Sequence, residues 1–291
     1  MKVQPFQILK PLNENLLVQV DKSKTFYNQL HQHNEIQLSL ILKGNGKLII
    51  GDSIHQFKDG DFFALGANSP HVFKSDNTIA QVHMISLFFT DKTFGDDFFQ
   101  LSDLEETRAF FDSVKDGFQV LSGIEAIHQL MLQLPHDTKL SKLIAFFTLL
   151  KLLIATDKKP LTSFVYPKET GTVAGERMQI IFDYVLHNFQ KEIKLHTIAG
   201  LIYMTPNAFC KFFKQRTNKT FFQFLIELRI EHSCQLLQRK RDLAIAEISE
   251  ASGFKSISNF NRKFKLLKGI IPSQYRKKRL QNDVIGDNTL K

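Results

Sequence analysis

The sequence predicts an α+β multidomain protein: a small antiparallel β-barrel with following helices, then an all-α domain with two helix-turn-helix motifs. Three observations lead there. From Asn15 to Phe89 the chain reads as short apolar runs broken by turn signals, the texture of a small barrel or sandwich. Near the C-terminus one pattern occurs twice, with Phe209-Cys-Lys-Phe-Phe-Lys214 matching Phe260-Asn-Arg-Lys-Phe-Lys265 at a shift of 51 residues. Finally, residues 172–291 hold 21 Lys and Arg against 10 Asp and Glu, whereas the remainder is slightly acidic, within a net charge of +9. Basic charge confined to the repeat half points to a polyanionic partner for that half.

In chain order, Ile36–Leu42 is strand-like, Lys43-Gly-Asn-Gly46 reads as a hairpin turn, and Lys47–Ile50 follows. Gly51-Asp-Ser, His55–Phe57, the turn Lys58-Asp-Gly60 and a closing strand Val82–Phe89 complete a barrel over about residues 15–90. Helices follow over about 102–156. Ser122-Gly-Ile-Glu125 has the spacing of a capping box ahead of Ile127, Leu130, Met131 and Leu134, and Pro135 stops that helix. The next, from Thr138 to Ala155, is apolar on more than one face. Buried packing explains that, and so does a dimer seam. Residues 1–157 thus form a sensing and dimerising domain, and 158–175, with Pro160, Pro167 and Gly171, a linker.

The C-terminal domain spans 176–280, with a flexible tail at 281–291. A helix over about Glu176–Phe189 leads in. In the first motif Thr205-Pro206 is an N-cap with proline at N1. Phe209, Phe212 and Phe213 face the core, leaving Asn207, Cys210, Lys211 and Lys214 outward. A helix of about 19 residues, about 28 Å long, follows to near Gln238 and joins the motifs. In the second motif Gly253 occupies the turn at positive φ and Ser256 caps the helix. Phe260, Phe264 and Leu267 point inward, leaving Ser258, Asn259, Asn261, Arg262 and Lys263 available. Recognition helices so placed suit adjacent major grooves of double-stranded DNA, about 34 Å apart, with some bending. Base contacts are expected from Asn207, Cys210, Lys211, Ser258, Asn261 and Arg262. Lys214, Lys265, Lys268 and Arg276, which opens the basic run to Arg279, are expected on phosphates.

The stretch Glu247-Ile-Ser, Gly253-Phe254, Ser258-Asn-Phe260-Asn-Arg262-Lys-Phe264-Lys265 and Gly269-Ile-Ile-Pro272-Ser-Gln-Tyr275-Arg276 resembles the C-terminal hallmark of AraC/XylS-type transcription regulators. The resemblance covers Glu176–Lys278 and implies base contact at the six positions just named. The chain departs from it at Ser249, where the family has a small Ala, and at Asn218, where it prefers Gly. Asn also tolerates the left-handed region.

In the N-terminal half, His31-Gln-His33-Asn-Glu-Ile-Gln37 with Asp59-Gly-Asp61 and Pro70-His71 has the spacing of a cupin motif, so the barrel is cupin-like. Metal-binding cupins bring three His and a Glu onto one ion. Gln37 stands at the Glu position and removes that charge, so no metal and no other cofactor is expected. His31, His33, Gln37 and His71 are instead expected to line a pocket for a small polar effector. The resemblance implies a metabolite, often a sugar.

The resulting expectation is a ligand-controlled, sequence-specific activator and not an enzyme: a homodimer able to meet RNA polymerase. A cupin-type metal-dependent enzyme with a DNA-binding appendage and a ligand-independent DNA-binding protein stay open as alternatives. No apolar run approaches a membrane span and no signal peptide is evident. Cys210 and Cys234 have neither metal-ligand nor disulfide spacing, which fits a reducing cytoplasm.

Overall fold

The computed structural model describes residues 14–76, 81–162, 172–239 and 242–277. Two compact units, Met1–Glu176 and Arg177–Lys291, divide the chain. The first holds two antiparallel sheets. β1 (Leu17–Ser23), β2 (Ile36–Lys43), β5 (Phe62–Leu65), β7 (Val82–Phe89), β8 (Phe118–Val120) and β9 (Lys158–Pro160) form a six-stranded sheet in the order β1-β7-β2-β5-β8-β9. β3 (Gly46–Ile50), β4 (Ser53–Phe57) and β6 (His71–Ser75) form a three-stranded sheet ordered β4-β3-β6.

Side chains alternate across a strand, so a strand covered on both sides is buried throughout. β2 shows this over six consecutive residues. Ile36, Leu38 and Leu40, with Phe62, Ala64, Ile85, Leu87 and Phe89, pack under α1 (Thr107–Val114), α2 (Ile124–Gln133) and α3 (Lys139–Ala155). The alternate residues Ile41, Phe63, Leu65 and Met84 join Leu48, Ile50, Phe57 and Phe73 inside the barrel. Gln37, Ser39 and Ser86 are buried polar residues of the same two strands, β2 and β7.

Three local expectations need correction. Lys43-Gly-Asn-Gly46 is not a hairpin turn but a corner between sheets, because β2 is already paired on both edges, with β5 and β7. Gly44, at φ +134°, makes that corner, and the Asp59 carboxylate accepts its N–H at 2.6 Å. The capping box before α2 does not form. Gly123, in the left-handed region, is the N-cap, and the Ser122 hydroxyl turns to the Asp157 carboxylate at 3.1 Å. Lys158–Pro160 is not linker but strand β9 on β8, and Leu161 is buried in the barrel core. The rest of the expected linker (163–171), the end of the basic run and the 281–291 tail lie outside the described residues.

α4 (Thr172–Asn188), which leads into the second unit, begins four residues before the expected Glu176. α5 (Leu195–Leu201) and α6 (Pro206–Thr217) make the first motif, and α8 (Ile245–Ala251) and α9 (Ile257–Lys268) the second. α7 (Phe221–Arg239) lies between them with the anticipated 19 residues. The repeat extends to the backbone. Met204 N–H bonds Ala199 O at 3.0 Å, and Phe254 N–H bonds Ser249 O at 3.1 Å. Thr205 and Ser256 cap α6 and α9 through the N–H groups of Ala208 and Asn259. Asn218 (φ 54°) and Gly269 (φ 76°) end those helices in the same left-handed conformation. The extra residue of the second copy is Lys255, paired with Glu192 at 2.8 Å.

Phe209, Phe213, Phe221 and Phe224 form one aromatic core. Phe254, Phe260, Phe264 and Tyr275 form the other, with Ile230, Cys234 and Leu237 of α7. Two residues expected inside are further out. Phe212 is half-buried beneath the Arg216 guanidinium, and Leu267 is exposed on the flank of α9.

The turns differ in one way that can be measured. Gly253 has φ +85°, and an added Cβ would sit 2.8 Å from the carbonyl oxygens of Phe189 and Gln190. Its counterpart Tyr203 takes φ 56° and is 95% exposed. Gly253→Ala should therefore lower stability by about 2 kcal/mol or more, and Tyr203→Gly should cost nothing or gain up to about 1 kcal/mol. Ser249 Oγ is buried with no hydrogen-bond partner among the described residues, so Ser249→Ala should stabilise by about 1 kcal/mol. Denaturant unfolding of the three variants checks all three signs.

Candidate nucleic-acid interface and barrel pocket

On α6, Asn207, Cys210, Lys211 and Lys214 are all exposed. Their spacing, i, i+3, i+4 and i+7, puts them on one helix face. On α9, Ser258, Asn261, Arg262 and Lys265 repeat that spacing, with Asn261 half-buried and the others exposed. Phenylalanines at 209 and 213, and at 260 and 264, anchor the opposite faces. Each helix thus presents amide, hydroxyl or thiol and cationic groups on a face held rigid from behind. Such groups suit base edges, Asn for adenine and Arg or Lys for guanine. Arg262 Nη2 donates to Asn259 Oδ1 at 3.1 Å, which orients the guanidinium.

The four residues expected on phosphates divide. Lys214 and Lys265 are exposed. Lys268 instead pairs with Glu231 of α7; burial works most strongly against its charge, but the Glu231 carboxylate together with Cys234 and Tyr275 outweighs it and holds the ammonium above its ordinary value. Arg276 donates from Nη2 to Leu243 O at 2.8 Å and braces the loop before α8. Both are thus drawn into the fold. Arg229, not singled out from the sequence, donates from Nε to Phe189 O at 2.7 Å and from Nη2 to Lys191 O at 2.8 Å. A lone Arg within an amphipathic helix carries no sequence signal for such a role.

In the barrel, His31, His33 and His71 come together, with one ring nitrogen of each within 4.8 Å of the others. His31 sits not in a regular strand but in an isolated bridge to His71, held by two backbone hydrogen bonds of 3.1 and 2.8 Å. Gln37 Oε1 lies 3.1 Å from His33 Nε2 and 3.0 Å from His71 Nε2. Gln37 Nε2 donates to Ser39 Oγ at 2.8 Å, and Ser39 and Ser86, cross-strand partners, join hydroxyls at 2.9 Å. The two serines were not anticipated, although Ser39, two residues from Gln37 on one strand, shares its face by period alone. Burial lowers the His31 pKa to about 4, and burial together with the other two histidines lowers that of His71 well below its usual value. Both rings are neutral near pH 7. The adjoining cavity measures about 50 Å³ and is lined by His31, His33 and Gln37 with Gln19, Asp21 and Tyr27. Burial raises the Asp21 pKa, against a 2.7 Å hydrogen bond from Gln19.

Comparison with known proteins meets this geometry from outside. The "AraC-like ligand binding domain" family matches residues 18–144, and the "Helix-turn-helix domain" family matches residues 198–278. The chain is 26% identical over 257 residues to "Probable transcriptional regulator LumQ" of Photobacterium leiognathi, covering 88% of this chain and 94% of that protein. It is 23% identical to "Uncharacterized HTH-type transcriptional regulator YdeC" of Bacillus subtilis, covering 93% and 97%. It is also 23% identical to "HTH-type transcriptional activator RhaR" of Shigella dysenteriae, covering 87% and 88%. Among the described residues no helix is long and apolar enough to cross a membrane.

The two classes of cation separate experimentally. Arg262→Ala should cost about 1–3 kcal/mol on preferred DNA and relax the preference at one base pair. Lys214→Ala should weaken binding to all sequences alike and reduce the slope of log K against log salt by about one. Fluorescence anisotropy across a salt series, on preferred and scrambled duplexes, distinguishes them.

Proposed function

The chain belongs to the AraC family of transcription regulators, with an AraC-like ligand-binding domain followed by a helix-turn-helix DNA-binding domain, and on that footing we propose that it is a sequence-specific activator controlled by a small polar effector held in its barrel. The observation that carries this reading is the duplicated helix face at Asn207, Cys210, Lys211 and Lys214 and at Ser258, Asn261, Arg262 and Lys265, exposed at all of these but the half-buried Asn261. Activation is the property named for RhaR, and an activator meets RNA polymerase as well as DNA. The protein acts by shifting populations between DNA-binding states, not by catalysis.

The effector site is His31, His33, Gln37 and His71. A cavity of about 50 Å³ is well below the about 300 Å³ at which small-molecule pockets begin. A sugar would therefore enter only if the barrel opened. The dimer seam is the outer side of α3, where Leu140 and Ile144 are 68% and 62% exposed while Phe146, Leu149 and Leu153 fill the core.

Selection of bound sequences from random DNA is the primary test; recovery of no preferred sequence would overturn the reading. Because α7 spans about 28 Å, less than the groove repeat of about 34 Å, the bound DNA is bent; a circular-permutation gel should show position-dependent mobility, and uniform mobility would refute the bend. Leu140→Asp combined with Ile144→Asp should weaken self-association at least about tenfold, read by sedimentation equilibrium.

A further inference from the structure

Resting on the reading of the barrel as the effector site, we infer that His31, His33 and His71 with Gln37 hold one divalent transition-metal ion, and that this ion is the effector. The chemistry follows from where the ring protons sit. His31 Nδ1 is 2.9 Å from Gln29 O, His33 Nδ1 is 2.9 Å from Glu35 O, and His71 Nδ1 is 2.8 Å from Ser69 O. A carbonyl oxygen only accepts, so each Nδ1 carries a proton, and a ring in its neutral form keeps its lone pair on Nε2. A backbone carbonyl on the remote nitrogen is also how metal-bound imidazoles are oriented.

At the centre of the cluster, the lone pairs of His33 Nε2 and His71 Nε2 converge on the amide oxygen of Gln37, at 3.1 and 3.0 Å. Adjacent ligands of an octahedral ion with bonds of about 2.1 Å stand about 3.0 Å apart, the spacing these ring nitrogens keep from the amide oxygen. The alternative is a Gln37 amide turned end for end, with its NH₂ donating to both rings and its oxygen accepting from Ser39 and Ser86. The structure has the NH₂ group on Ser39 and Ser86 and the oxygen on the rings, and Gln37→Glu, which has no NH₂ end, separates the two arrangements.

Space and charge agree. A cavity of about 50 Å³ lined by His31, His33 and Gln37 adjoins the cluster and has room for a water beside the ion, a water's share of liquid volume being about 30 Å³. Gln37 supplies no negative charge, but the Asp21 carboxylate lines the same cavity. Three imidazoles and one amide oxygen favour zinc, nickel, cobalt, copper or iron(II) over magnesium or calcium. The three imidazoles supply the donor set without a carboxylate at position 37. His71 lies on the three-stranded sheet and Gln37 on the six-stranded one, so the ion would tie both together.

Cobalt(II) is the probe. The full chain, stripped with chelator and dialysed, is titrated with Co²⁺ and followed by visible absorption, with zinc competition and thermal unfolding alongside. The expected result is one saturable site per chain, without the thiolate charge-transfer band of a cysteine site, and with unfolding shifted upward. His33→Ala should weaken binding at least about tenfold, and Gln37→Glu should tighten it by a similar factor. A gain of affinity cannot arise from misfolding. Absence of saturable binding at 100-fold excess, or binding indifferent to both substitutions, overturns the inference. In that event an organic compound that alters DNA binding through the same residues would leave the effector reading intact. Stoichiometric binding that changes neither DNA affinity nor transcription in vitro overturns the assignment of the ion as effector.

Discussion

One helix carries both DNA-reading modules. α7 gives Phe221 and Phe224 to the first aromatic core and Ile230, Cys234 and Leu237 to the second. Neither core closes without it, because a two-helix motif has too little apolar surface to bury on its own. The separation of α6 and α9 is consequently set by helical rise rather than by a loop. Arg229, midway along α7, satisfies the carbonyls of Phe189 and Lys191, which follow α4. The second unit thus behaves as one body with two reading heads.

The barrel solves a different problem. Its six-stranded sheet is covered by helices on one side and by the smaller sheet on the other, so polar groups along β2 and β7 must find partners inside. Gln37, Ser39 and Ser86 do so along one connected line that reaches His33 and His71. A buried polar cluster of this size costs stability unless it is satisfied throughout. The cluster stands out against an otherwise phenylalanine-rich interior.

Much of this was legible in the residues, for identifiable reasons. The repeat declared itself because helix caps and core phenylalanines recur at fixed offsets, and Thr205, Ser256, Asn218 and Gly253 behave as their chemistry requires. The histidines could be grouped by motif spacing. Pairing partners were not legible. Lys43–Gly46 has hairpin composition, yet the other edge of β2 decides where the chain goes next. Lys158–Pro160 is too short and too polar to look like a strand, and only β8 makes it one. Ser122 had the right neighbour for a cap but a better acceptor in Asp157, 35 residues away. Lys268 and Arg276 read as free cations because their partners, Glu231 and Leu243, are close only in three dimensions.

The left-handed positions of the repeat carry one more consequence. At Asn218, Gly253 and Gly269 the backbone adopts, for one residue, a conformation natural to the mirror-image amino acid. The two glycines nevertheless answer different demands. Around Gly269 an added Cβ meets nothing within 4 Å, whereas at Gly253 it runs into the backbone of residues 189 and 190. Gly269 is thus a requirement of handedness alone and Gly253 one of handedness and clearance. A pair of residues that look equivalent in sequence are, stereochemically, two separate kinds of constraint.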